Sequence, residues 1–346
     1  MRAILKGTLV AVASALCFGA TTPLVQRAGR DAGPFATAFL LYAGASIVSL
    51  PGAVKARHAH LRRADLPRIA LVALLGAAVA PTFFAWGLQR SSAFSASILL
   101  NLEVVFTVLL ARMLFRESVS RRIVLAVLLM IGGGIFTLLG STGAARTGSA
   151  WGTLALLAAV FAWALDNSLA RPLADRDAAQ VVGAKSLVGA VATFALCVAT
   201  QDAWPSLAAS AALLACGGLG YGVSLQLYVR AQRGIGAART ASVFALAPFV
   251  GALLAWLMAD RAGGVSLAIA SSLFGLGAWL HLSERHHHAH THLDQEHEHT
   301  HRHDDGHHAH THDTYPQNEH SHPHRHERID HTHEHGEDLH HRHEEA

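Results

Sequence analysis

From residue 5 to residue 282 the chain alternates between long apolar runs and short charged clusters. A bilayer core of about 30 Å needs roughly 20 apolar residues as helix. Ten runs meet or approach that length: 5–25, 34–54, 67–88, 93–115, 123–139, 150–169, 179–200, 206–229, 237–259 and 265–282. None sustains period-two alternation, which sets a membrane β-barrel aside. The pattern predicts an all-α membrane protein of ten transmembrane helices; buried helices of a large soluble protein are the weaker reading. Arg2 and Lys6 make the first run resemble a signal peptide, but nine more runs follow, so it reads as the first span.

Composition divides the chain in two. Residues 1–282 hold only nine Asp or Glu, whereas soluble domains are about one quarter charged. Residues 283–346 hold 23 of the 26 histidines and 15 of the 24 acidic residues, with almost no Leu, Ile, Val or Phe. Such a segment buries too little apolar surface to offset chain-ordering entropy, so a disordered tail is expected. With histidine neutral the body carries +13 and the tail −10. The pI near 9.0 averages these opposites and does not point to nucleic acid. Cys17, Cys197 and Cys216 all lie in apolar runs and imply no disulfide framework.

Basic residues in the short loops set the expected orientation. With the N-terminus in the cytoplasm, 14 Arg and Lys fall inside and 5 outside. An even number of spans returns the tail to the cytoplasm, and the bacterial inner membrane is the expected location.

The chain also resembles itself at a shift of about 145 residues. Gly7-Thr8-Leu9 recurs as Gly152-Thr153-Leu154, Arg30-Asp31-Ala32 as Arg176-Asp177-Ala178, Gln89-Arg90 as Gln232-Arg233, and Leu109-Leu110-Ala111 as Leu253-Leu254-Ala255. Two units follow, 5–140 and 150–282, each of five spans. An odd number turns the second unit upside down relative to the first. Inverted repeats of this kind are a common transporter architecture, with the substrate site near mid-membrane between the halves.

Leu102-Glu103-Val104-Val105-Phe106-Thr107-Val108-Leu109-Leu110-Ala111, then Glu117, then Gly132-Gly133-Gly134, is similar to the EamA family of the drug/metabolite transporter (DMT) superfamily. The resemblance runs from Gly7 to about Leu282. The family typically has Leu-Glu-Pro here, whereas this chain keeps Glu103 but has Val104 in place of proline. The second half is the complement, with Ala247 where the acid would stand and then Pro248. The resemblance implies alternating-access transport of a small solute; a symmetric pair of carboxylates is not implied. An enzyme is a third possibility, but the sequence has no nucleotide loop, nucleophile motif or membrane-embedded His/Asp cluster to support it.

Glu103 lies near the middle of the fourth span, where a carboxylate costs about 2.5 kcal/mol or more unless hydrated, paired or protonated. It is expected to face the interior, where it would suit proton coupling or simply bond a neighbouring helix; Asn101 would share either role. Asp166 and Lys185 lie at similar depth in the sixth and seventh spans. They could form a static ion pair or a gate that meets the cargo. Asn167 points about 100° away from Asp166 on a helix, toward another face. Trp86 and Trp163 would line a cavity or anchor and pack. Pro248 would interrupt the ninth span midway. Gly218 and Gly222 form a small-xxx-small pair that lets helices approach closely.

The tail repeats His-x-His: His297, His299, His301 and His303; His307, His308, His310 and His312; His320, His322, His324 and His326; His331, His333 and His335. Neutral imidazoles bind borderline divalent metals such as Zn, Ni, Co and Cu. Interspersed carboxylates add oxygen ligands, and the absence of cysteine argues against a rigid zinc module. Many weak, exchangeable sites are expected, and the fold needs no cofactor.

Two function classes stand. One is a DMT-type secondary transporter, an exporter of a small solute with a cytoplasmic metal-binding tail. Its cargo is either a metal or metal chelate, or an organic metabolite beside a tail that only buffers metal. The other is a membrane-tethered metal sensor or scaffold that transports nothing. The expected partners are the bilayer and the cargo, with proton coupling and a homodimer left open.

Overall fold

The computed structural model describes residues 2–55, 60–115, 120–142, 148–173, 176–235, 240, 243–258 and 265–282. It also describes the backbone of 286–292, 295–301, 320–326 and 329–335. The membrane body is helical: α1 (Arg2–Ala28), α2 (Pro34–Val54), α3 (Leu66–Ala73), α4 (Ala80–Leu88), α5 (Ala93–Leu99), α6 (Leu102–Phe115) and α7 (Arg121–Thr142) lie in its first half. The second half holds α8 (Gly148–Ala170), α9 (Ala178–Thr200), α10 (Leu207–Gly217), α11 (Ser224–Ile235), α12 (Ala247–Leu257) and α13 (Val265–Leu282).

Seven helical stretches among the described residues are long and apolar enough to cross a bilayer: Leu5–Ala28, Pro34–Val54, Arg63–Leu88, Ala93–Leu114, Ala150–Ala170, Ala178–Thr200 and Leu207–Ala231. Shorter apolar helices follow at Ala247–Leu257 and Val265–Leu280, and α7 is 22 residues long. Large apolar side chains such as Val191, Leu207, Leu253 and Trp279 lie on the outer surface, as a bundle surrounded by lipid requires.

Several spans are interrupted, and the interruptions recur. A π-turn at Leu74–Val79 joins α3 to α4, and another at Gly218–Val223 joins α10 to α11. A turn at Leu100 and Asn101 separates α5 from α6, and a turn at Ala245 and Leu246 precedes α12. Each pair is offset by the same interval as the sequence repeats. The packing repeats as well: α1 meets α11 and α12, while α8 meets α4 and α6. The partners α2 with α9, and α7 with α13, pair equivalent helices of the two halves.

Small residues make these contacts close. A Cβ on Gly217 would fall on the Leu41 carbonyl oxygen, and one on Gly44 on that of Leu214, so α2 and α10 pack backbone to backbone. Gly133 takes the Phe274 ring in the same way between α7 and α13.

Two sequence expectations change here. Glu103 is not midway along an unbroken helix; it occupies the first turn of α6, where a carboxylate is favoured by the helix dipole. Pro248 does not interrupt a helix midway. It stands in the first turn of α12, where a missing N–H costs no hydrogen bond.

Four short segments of the tail are described, and their backbone is extended. β1 (His286–His292) pairs antiparallel with β4 (Ile329–His335), and β2 (Gln295–His301) with β3 (His320–His326). The His-x-His alternation has the period of a strand, so the ladders set His297 opposite His324 and His299 opposite His322. His303, His307, His308, His310 and His312 lie outside the described residues.

Candidate functional site

Four of the polar groups of the apolar body, Glu103, Asp166, Asn167 and Lys185, gather where the two halves meet. Glu103, in the first turn of α6, accepts a 2.6 Å hydrogen bond from Asn167 Nδ2 on α8. The neighbouring Asp166 turns to α9, where Lys185 Nζ donates to its Oδ2. Adjacent residues on one turn thus serve two helices, because 100° of rotation separates their side chains. Asp166 is 1% exposed, and its Oδ1 has no hydrogen-bond partner among the described residues. Glu103 is within electrostatic reach of both Asp166 and Lys185.

The π-turn of the first half makes room for this ion pair. A Cβ on Gly76 would fall on Asp166 Oδ2 and lie 2.9 Å from Lys185 Nζ. The Gly76 carbonyl also accepts from the Tyr42 hydroxyl and from Trp163 Nε1 at 3.1 Å. A π-turn loosens the regular backbone ladder, and these side chains satisfy the carbonyl it leaves available. The equivalent glycine of the second π-turn, Gly220, faces the Thr21 side chain instead. One half therefore carries a charged pair where the other carries a hydroxyl.

Aromatic rings flank the ion pair. Tyr42 and Tyr221 have centroids 5.4 Å apart, Tyr221 and Trp163 6.3 Å, and Trp163 and Phe84 5.3 Å. The two tyrosines were not singled out by the sequence, although a tyrosine inside an apolar run needs a partner for its hydroxyl.

Other candidates serve elsewhere. Asn101 is buried, and its Nδ2 donates to the Ile98 carbonyl, capping the break between α5 and α6. Trp86 carries the Arg90 guanidinium 4.0 Å above its ring, near the end of α4. Pro248 belongs to the start of α12. Among the described residues no group of three His, Cys, Asp or Glu could hold a metal ion.

Two carboxylates tie the halves together at opposite ends of α2. At its C-terminal end, Asp65 accepts from Arg176 Nε at 2.8 Å, while the Gln180 side chain accepts from Leu61 N–H and donates to the Ala53 carbonyl. At its N-terminal end, Asp202 Oδ2 accepts from the N–H groups of Phe35 and Ala36 at 2.7 and 3.0 Å. Gly33 N–H donates to the Ala203 carbonyl beside it. A Cβ on Gly33 would collide with the Asp202 carboxylate, so that position must stay small.

The chain matches the sequence profile of the EamA-like transporter family twice, over residues 5–139 and 150–283. It is 29% identical over 226 residues to an uncharacterized transporter of Methanothermobacter thermautotrophicus, covering 64% of this chain and 66% of that protein. The match thus spans slightly less than two thirds of that relative. A protein of known crystal structure shares the fold with a TM-score of 0.61 and 21% identity, over 80% of this chain and 98% of that one.

Proposed function

The chain belongs to the EamA-like transporter family, and from that premise we propose that it is a DMT-type secondary transporter that exports a small solute by alternating access. One observation carries the reading: Glu103, Asp166 and Lys185 come together at the seam between the halves of an apolar bundle, Asp166 buried, Glu103 and Lys185 half-buried, with the exposed Asn167 bonded to Glu103. Charges in such surroundings are costly and mark solute or proton pathways. The buried, unpartnered oxygen of Asp166 is the acceptor a cargo donor would meet once the halves move, and Glu103 is the carboxylate that would exchange a proton with it. The aromatic wall of Trp163, Tyr42 and Tyr221 would shape the passage.

The two halves act as inverted repeats in this reading. Support comes from the loops: the segment after the first helix of one half joins the segment after the second helix of the other, at each end of α2. Parallel repeats would bring equivalent loops together instead. Asp65–Arg176 and Asp202 with the α2 N-terminus are then the two gates, one at each end of the passage.

The termini are cytoplasmic and the membrane is a bacterial inner membrane. The tail binds divalent metal (Zn, Ni, Co or Cu) at the cytoplasmic mouth, and the cargo is a metal chelate or an organic metabolite. The test is flux in sealed proteoliposomes across divalent metals and small metabolites, with and without a pH gradient. Transport that needs the gradient and fails in Glu103→Gln supports the reading. No flux of any solute, with tail-dependent association of a partner, would instead identify a sensor or scaffold.

A further inference from the structure

At the N-terminal end of α2, away from the buried ion pair, the bundle opens into a polar depression of about 430 Å³. Gln26, Arg27, Arg30, Gln89, Ser91 and Ser92 line it, over an apolar floor from α5 and α12. Arg27, in the last turn of α1, and Arg30, in the turn just beyond it, are both exposed, and no acidic residue is among the lining groups. Neither guanidinium has an ion-pair or hydrogen-bond partner among the described residues. Asp31 follows Arg30 in the chain but is not among the lining residues, and two neighbouring like charges are unfavourable together unless an opposite charge joins them.

The walls that hold them are fixed. Gln26 Nε2 donates to the carbonyls of Leu88 and Ser91 at 3.0 and 2.6 Å, tying α1 to the turn between α4 and α5. Gln89 Nε2 returns the contact, donating to the carbonyls of Gly29 and Ala32 at 2.9 and 2.6 Å. These reciprocal amide staples hold the rim in place before any ligand arrives, which lowers the ordering cost of binding.

We propose that this vestibule is an oxyanion subsite that binds a doubly charged phosphate or dicarboxylate group between Arg27 and Arg30. Guanidinium groups pair with such oxyanions through two parallel hydrogen bonds, and two of them balance a dianion. Its role as the mouth through which cargo passes rests on the transporter reading; the binding does not. The same charges repel a bare divalent cation, so within that reading the cargo is an organic anion or an anionic metal chelate.

The test measures binding rather than flux. The purified full-length chain in neutral detergent is titrated with inorganic phosphate and with succinate, and melting is followed against chloride at matched ionic strength. Saturable stabilisation is expected, at least tenfold weaker in affinity for the Arg27→Gln/Arg30→Gln double variant. Arg90→Gln, outside the vestibule, keeps wild-type affinity, and Arg27→Lys/Arg30→Lys keeps part of it. Equal affinity in the Gln double variant, or a shift that chloride reproduces, overturns the proposal. Nanodiscs of phosphatidylcholine and of phosphatidylglycerol separate the two sources of the anion. Loss of phosphate binding only in phosphatidylglycerol identifies a lipid headgroup as the occupant, and binding in both identifies a soluble solute. Binding without any flux would leave this site standing and remove only its role as a mouth.

Discussion

Asn167 Nδ2 on α8 lies 2.6 Å from Glu103 Oε1 on α6, so one hydrogen bond joins the only mid-span acid of the first half to the second half. Any movement of α8 against α6 must stretch or break it. Its neighbour Asp166 holds Lys185 on α9 from the same turn. Three helices from both halves are therefore coupled through two adjacent residues.

Glu103→Gln preserves a side chain that can still accept from Asn167, so the fold should hold while proton exchange is lost. We expect melting within about 1 kcal/mol of wild type and gradient-driven flux reduced at least tenfold. Asn167→Leu does the opposite to the bond, stranding the carboxylate. Because Asn167 is exposed, that variant should lose only the net worth of one hydrogen bond, about 0.5–1.5 kcal/mol, in thermal unfolding.

Asp166 and Lys185 should show strong coupling. Lys185→Met leaves a 1% exposed carboxylate without its cation, and breaking a buried pair costs about 3–5 kcal/mol. The double variant Asp166→Asn/Lys185→Met should recover much of that loss. Detergent melting of the four proteins of this cycle measures it, and additive losses would show that the two charges act independently.

Gly76→Ala places a methyl on the Asp166 carboxylate and against Lys185. Overpacking of this kind costs about 1–3 kcal/mol, and flux should fall with stability because the ion pair is displaced. Gly220→Ala meets the Thr21 side chain first, its nearest atom at 2.6 Å. It should lower the melting temperature without the same loss of transport.

The contacts at the two ends of α2 should respond independently. Removing Arg176 (Arg176→Ala) releases Asp65 at one end of α2, while Asp202→Ala removes the acceptor at the other, which also serves as a helix cap worth about 1 kcal/mol. A bias of that size shifts a two-state equilibrium about fivefold. Hydrogen exchange should rise around 61–66 in the first variant and around 33–37 in the second. A rise at both ends in either variant would mean general loosening instead of gating.

Tail histidines should bind Zn or Ni only while neutral. Imidazole titrates near pH 6.5, and a protonated ring cannot ligate. Calorimetric metal affinity should therefore be full at pH 7.5 and lost as pH falls below about 6. Deleting 283–346 should abolish it. If metal tolerance and accumulation of cells stay unchanged after that deletion, the metal is not the cargo.

Much of the helical architecture was legible because lipid imposes a simple rule: every backbone group must be satisfied within its own helix, so spans announce themselves as long apolar runs. The repeat interval was legible too, and it coincides with the spacing of the π-turns and of the helix breaks. Glu103, Asp166 and Lys185 stood out because ionisable residues are rare in such runs. Gly76 and Tyr42 did not, and Asn167 was noted without its partner. A glycine or tyrosine in an Ala- and Leu-rich span has no distinctive pattern, and its importance appears only when another helix approaches it.

The sequence by itself determined where apolar helices form, that the chain repeats, and that a histidine-rich segment follows the body, because each depends on composition or period along one strand of chain. Tertiary structure decided which polar group meets which. Helical periodicity gives a side chain its direction but says nothing of the rotation and depth of the neighbouring helix. That is why Asn167 could be read as facing away from Asp166 but not as facing Glu103, and why Asn101 and Pro248 proved to finish helix ends instead of lining the ionisable cluster.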